Sequence, residues 1–209
     1  MLVCRRSDGS SLIARGGQVR SPQSLSESGR RLVAGWAADC AERVLELFET
    51  ERPTDDRPRA AIARTRAFAR GELNTAVEIR RRFVDGGAAR EARSPAAAAA
   101  ARAAGQAAAV CHMGAHALGA AAYAVKAASL AAPDRRAVAA EEIHWQLTHM
   151  TAEVRAALQT LPAIGECRSG PLGPGLLAAG QLGEIIRALQ TGLAEVPQSR
   201  VRPDTLPIE

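Results

Sequence analysis

Between Ala96 and Ala132 more than half of the residues are alanine, Gly105, Gly114 and Gly119 interrupt them, and no acid occurs from Ser94 to Ala132. Alanine combines the highest helix propensity with almost no bulk, and glycine lacks even a β-carbon. Helices built from such residues can be approached closely on several sides. The segment is therefore expected to be the central, buried helix of the protein, or two helices broken near Gly119. Its charge-free stretch from Ala103 to Val125 is long enough to cross a bilayer. However, it is mostly alanine and glycine and includes Gln106, His112 and His116, so a buried helix of a soluble protein is the better expectation.

The rest of the composition agrees with an all-helical chain. Of 209 residues 46 are alanine, 26 of the 27 basic residues are arginine, and aromatics make up only 3%, a bias away from strands. The expected fold is an all-α bundle of about six helices around the alanine-rich one, with an appended C-terminal helix. Residues 1–24 read as a loosely ordered arm. Val33, Trp36, Cys40, Val44, Leu47 and Phe48 step by three and four, which predicts a first helix from Ser28 to Glu51. Asp55, Asp56 and Pro58 open a basic helix over Arg57–Arg70, ended by Gly71. Asn74 or Thr75 caps a third, with Val77, Ile79, Phe83 and Val84 inward, interrupted at Gly86-Gly87. Ser94-Pro95 starts the alanine-rich segment. Pro133-Asp134 starts a long helix to Leu161 with Val138, Ile143, Leu147, Met150, Val154, Leu158 and Leu161 in its seam. The domain so defined runs over 25–162. Residues 163–175 have linker composition. Residues 176–209 hold a last amphipathic helix, with Leu182, Ile185, Ile186, Leu189, Leu193 and Val196 on one stripe that must bury itself on the bundle or on a partner, and a proline-containing tail.

The formal charge is +5. The basic excess peaks between Arg57 and Arg93, where ten arginines face four acids. An anionic partner is one reading; no aromatic interleaving accompanies the arginines, so nucleic acid is the weaker form of it. Cys4, Cys40, Cys111 and Cys167 lie far apart with no CxxC pair, the pattern of reduced thiols in a cytoplasmic protein. Cys40 and Cys111 sit among apolar residues, where a thiol is a poor nucleophile. Nothing in the motifs calls for a cofactor or a metal, and no phosphate loop, serine elbow or carboxylate pair appears.

The sharpest polar constellation is His112, His116, Tyr123 and Lys126, spaced to share one helical face if the helix is unbroken, with Gln106 beside the stripe. Such groups in a field of alanine either hydrogen-bond to neighbouring helices or line a small pocket. On the next helix Glu141, Trp145 and His149 share a face and could border the same site. The i,i+4 histidines could hold a metal with Glu141, Glu142 or His149 as a third ligand, although the zinc-peptidase glutamate is absent. Asp39 and Arg43 are spaced for an intrahelical ion pair. Arg59, Arg66 and Arg70 on one face, and Leu182, Ile186 and Leu189 on the C-terminal stripe, are candidate partner surfaces. The C-terminal stripe could also build a homodimer.

Several short stretches carry a resemblance to a known family. They are Trp36-Ala37-Ala38-Asp39-Cys40-Ala41-Glu42-Arg43-Val44-Leu45, Arg57-Pro58-Arg59-Ala60-Ala61-Ile62, Arg70-Gly71-Glu72 and Ala101-Arg102-Ala103-Ala104-Gly105. His116-Ala117-Leu118-Gly119-Ala120-Ala121-Ala122-Tyr123-Ala124-Val125-Lys126-Ala127 and Trp145-Gln146-Leu147 complete the series. In this order, over roughly residues 30–150, they resemble the immunity-protein-5-like family of bacterial polymorphic toxin systems. The resemblance implies a helical cytoplasmic protein that binds and neutralises a cognate toxin. Gln106 stands where the family leads one to expect a histidine, Thr148-His149-Met150 replaces a Leu-Pro ending, and residues 163–209 lie outside the resemblance. A second reading is a non-catalytic accessory subunit of a heteromeric enzyme, its C-terminal extension wrapping the partner. A third is a small-molecule binder or enzyme using His112, His116, Tyr123 and Lys126.

Overall fold

The computed structural model describes residues 21–81 and 87–195. The arm before Ser21, Phe83, Val84, Gly86, Val196 and the tail after it lie outside the described residues. Within them the chain is all-helical, in the order α1 Glu27–Glu42, α2 Glu46–Glu49, α3 Arg57–Ala69, α4 Thr75–Arg81, α5 Ala88–Glu91, α6 Pro95–Ala109, α7 His116–Ala131, α8 Arg135–Thr148, α9 Ala152–Gln159 and α10 Gly180–Ala194.

The alanine-rich helices α6 and α7 form an antiparallel hairpin at the centre, crossed by α1 and flanked by α3 on the α6 side and by α8 and α10 on the α7 side. Alanines at 97, 99, 100, 103, 104, 107, 117, 120, 121, 122, 124 and 127 are essentially unexposed. Because alanine buries little apolar area, the surrounding helices supply the bulk of the core: Phe48, Phe68, Leu158, Leu172, Ile186 and Leu189 are all fully buried. Local caps follow the sequence signals. Ser94 accepts from the Ala97 amide, Asp134 from Ala137 and Ser26 from Gly29, each relieving an orphan N–H of a first turn.

Three expected helices are broken, and each break has a visible cause. The alanine-rich segment turns over residues 110–115 rather than at Gly119. There the amides of Gly114 and Ala115 bond the Ser24 and Gln23 carbonyls instead of continuing the helical ladder. Gly119 stays inside α7. The helix expected to reach Leu161 stops at Thr148, and Thr151 caps a new one by accepting from the Val154 amide. Arg155 then gathers the carbonyls of Leu147, Gly192 and Leu193, neutralising the C-terminal ends of α8 and α10 together. The first helix tightens after Glu42, where Val44 and Leu45 bond back only three residues.

Residues 163–175, for all their glycine and proline, are laid against the bundle. Leu172 is fully buried. Gln23 straddles the segment, donating to the Ser169 carbonyl at 2.7 Å and accepting from the Leu172 amide at 2.8 Å. The apolar stripe of α10 turns inward onto α7, α8 and α9. Leu182, Ile186 and Leu189 are 4%, 0% and 0% exposed, so the surface proposed for a partner or a homodimer is already occupied by the chain's own core.

Candidate functional site

The polar residues singled out from the sequence fall into two separate groups, because the turn at 110–115 parts His112 from the helix that holds His116. His112 is half-buried in that turn. His116 opens α7 and reaches back across the hairpin, its Nδ1 2.8 Å from Gln106 Oε1 on α6. An amide carbonyl oxygen only accepts, so Nδ1 carries the proton. Two turns further along α7, Tyr123 is 3% exposed with the Arg102 guanidinium 6.0 Å from its ring centre. Burial raises the Tyr123 hydroxyl above its ordinary pKa, and Arg102 opposes that shift. Lys126, one turn on, is half-buried. Gln106 and His116 are thus paired across α6 and α7, and Tyr123 is core with one edge under a cation.

The second group is built on the end of α8 and on α1. Glu142 is 5% exposed, and its carboxylate accepts from Arg43 Nε at 2.9 and 3.1 Å and Nη2 at 2.9 Å. It also accepts from Gln146 Nε2 at 3.1 Å. Gln146, wholly buried, donates from the same amide to the Ala121 carbonyl, while its backbone carbonyl accepts from Trp36 Nε1 at 3.0 Å. These bonds lock α8 against α1 and α7. The braced guanidinium of Arg43 then lies 3.8 Å from the Trp145 ring centre. Trp145 in turn stacks on His149, with centroids 4.3 Å apart and planes at 19°. His149 Nδ1 lies 2.9 Å from the Trp145 carbonyl, which fixes Nδ1 as the donor and turns Nε2 outward. Glu141 is exposed and takes no part.

The i,i+4 pairing expected between Asp39 and Arg43 does not form. Asp39 pairs with Arg66 at 2.6 Å, and Arg43 is drawn to the buried carboxylate of α8. The proposed basic face is likewise internally compensated. Arg59 pairs with Glu49, Arg66 with Asp39 and Glu42, and Arg70 with Glu72. Among the described residues no three His, Cys, Asp or Glu side chains converge as a metal site requires. The Cys40 thiol is pushed well up by burial, with Glu142 and Asp39 adding to the shift.

Sequence reasoning found Trp145 and His149 but missed Arg43, Glu142 and Gln146 as the residues that hold them. The available signal was the i,i+4 spacing of Glu142 and Gln146 on α8. Chemically, the second group is a pre-oriented stack: the Trp145 ring held against two nitrogen-rich groups, with the side-chain entropy of Arg43 already removed by its salt bridge.

A family model described as Imm-5 like putative immunity protein matches residues 23–153. No curated protein and no solved structure matches the chain. Both polar groups, the α6–α7 hairpin and the α1–α3 pair lie inside the matched stretch, and α10 lies outside it. With well over half of its length covered, the chain belongs to the Imm-5 like immunity protein family.

Proposed function

We propose that this protein acts by binding a cognate toxin and neutralising it through a preformed surface. The observation that carries the reading is the family match over residues 23–153. What supports a contact at this place is that Trp145 and Arg43, residue types enriched among interface hot spots, are stacked together with His149 in a conformation that needs little ordering. The toxin then meets a rigid plate rather than a flexible arm. The accessory-subunit reading relied on a C-terminal extension free to wrap a partner. In the bundle α10 is packed on α7, α8 and α9, which removes that premise.

The test is coexpression with a toxin domain encoded beside the chain's gene. The wild type should restore growth and copurify with the toxin. Trp145→Ala should weaken binding by about 30-fold or more while the bundle remains folded, since interface anchors cost about 2 kcal/mol or more when truncated. Full protection by Trp145→Ala would remove the stack from the interface, and failure of the wild type to bind any neighbouring toxin would remove the function.

A further inference from the structure

The arginines of α1–α3 and of the corner beside α5 are tied to carboxylates: Arg31 to Glu27, Arg57 to Asp55 and Glu91, Arg59 to Glu49, Arg66 to Asp39 and Glu42. The α6–α7 hairpin is different. Residues 94–132 contain Arg102 and Lys126 and no acid. Neither cation has an ion pair among the described residues, and neither do Arg135 and Arg136, which follow directly on the end of α7. Asp134, the nearest acid in sequence, spends its carboxylate on the Ala137 amide. The flanking α10 contributes one exposed charge of each sign, Glu184 and Arg187.

Arg102 and Lys126 both belong to the α6–α7 hairpin, and Arg135 and Arg136 open α8 just after it. Arg102 overhangs the Tyr123 ring, Lys126 follows Tyr123 by one turn, and the Gln106–His116 pair bridges the same hairpin. Leu177 packs at Gly119 beside Gln106. Its neighbour Leu176 is left 72% exposed at the edge of the face, the most exposed large apolar side chain described. An unpaired cation pair beside a projecting leucine suits a surface that offers carboxylates around an apolar recess.

We propose that the outer face of the α6–α7 hairpin, with Arg102, Lys126, Arg135, Arg136 and Leu176, is a docking surface for an acidic protein. The inference rests on the toxin-binding reading for its biological setting and specifies the chemistry of the partner. Nucleic acid fits less well: the cations are few, and the aromatic ring among them is buried, which leaves no stacking platform.

The test needs no toxin. A fluorescently labelled polyglutamate peptide is titrated with the full chain at low salt, in competition with a short duplex DNA. The wild type should bind the peptide in preference to the duplex. Arg102→Gln/Lys126→Gln should weaken peptide binding by about fivefold or more, and Arg135→Gln/Arg136→Gln should weaken it as well. Arg59→Gln/Arg70→Gln, the same charge change on the compensated face, should alter it less than about twofold. Absence of binding, equal loss in all three variants, or preference for the duplex would overturn the proposal. Peptide binding through this face by a chain that protects against no toxin would support the acidic-partner inference and count against the toxin reading alone. Protection without peptide binding would do the reverse.

Discussion

Gly119→Ala sets helix propensity against packing, and the structure decides the sign. In an isolated helix the change would stabilise by about 1 kcal/mol. In this bundle a methyl at position 119 would overlap Gln106 Oε1 and press at 3.0 Å on Leu177 Cδ1. Gln106 Oε1 and Leu177 Cδ1 are the ends of flexible side chains, so relief costs chiefly the Gln106–His116 bond, about 1 kcal/mol, and about 1 kcal/mol of overpacking where both must move. The expected net effect is a loss of about 1 kcal/mol, measured as a lower midpoint in urea unfolding at unchanged slope. Gly105→Ala is the internal control. Nothing lies within 4 Å of a methyl there, so propensity acts alone and the variant should gain up to about 1 kcal/mol. In a Gln106→Ala background, where the obstructing oxygen is absent, Gly119→Ala should cost less than it does alone, a coupling that a double-mutant cycle reads directly. If Gly119→Ala were as stable as the wild type, or equally costly with and without Gln106, the close approach of α6, α7 and Leu177 inferred here would be wrong.

Two further outcomes follow from the ion pairs. Glu142→Gln should destabilise by about 1–3 kcal/mol and change Trp145 fluorescence, because it frees Arg43 from a carboxylate only 5% exposed; Arg59→Gln, which breaks a pair with an exposed arginine, should change stability by no more than about 1 kcal/mol, and equal losses would refute the distinction. Glu51, which bonds the Ser94 side chain and the Ser94 and Arg93 amides, and Asp55, held by Arg57, both have carboxyls lowered from their ordinary 4.5 and 3.8. A depressed folded-state pKa contributes stability that is complete above the unfolded value and is lost as pH falls through the folded one, so unfolding midpoints should drop below about pH 4.5. Glu51→Gln should flatten that acid limb, and an unchanged limb would exclude the role.

The sequence by itself determined what depends on neighbours along the chain. Composition excluded strands, Ser94, Asp134 and Pro58 marked helix starts, and the step of three and four placed Val33, Trp36 and Cys40 on the buried side of α1. The ordered series of short motifs from Trp36 to Leu147 was sufficient to identify the family. Even the Trp145–His149 stack was within reach, since four residues bring two side chains together on any helix. What only the tertiary structure decided depends on groups distant in sequence. The turn at 110–115 exists because carbonyls of Gln23 and Ser24 take its amides from some 90 residues away; of the two glycines that could break the segment, Gly114 marks the turn and Gly119 misleads. Arg43 had an acid four residues back and chose another 99 residues on, because burying a carboxylate costs free energy that a paired cation offsets. The stripe of α10 was bound to be covered by the bundle or by a partner, and the bundle covers it, for amphipathicity states that an apolar face must be covered but not by what.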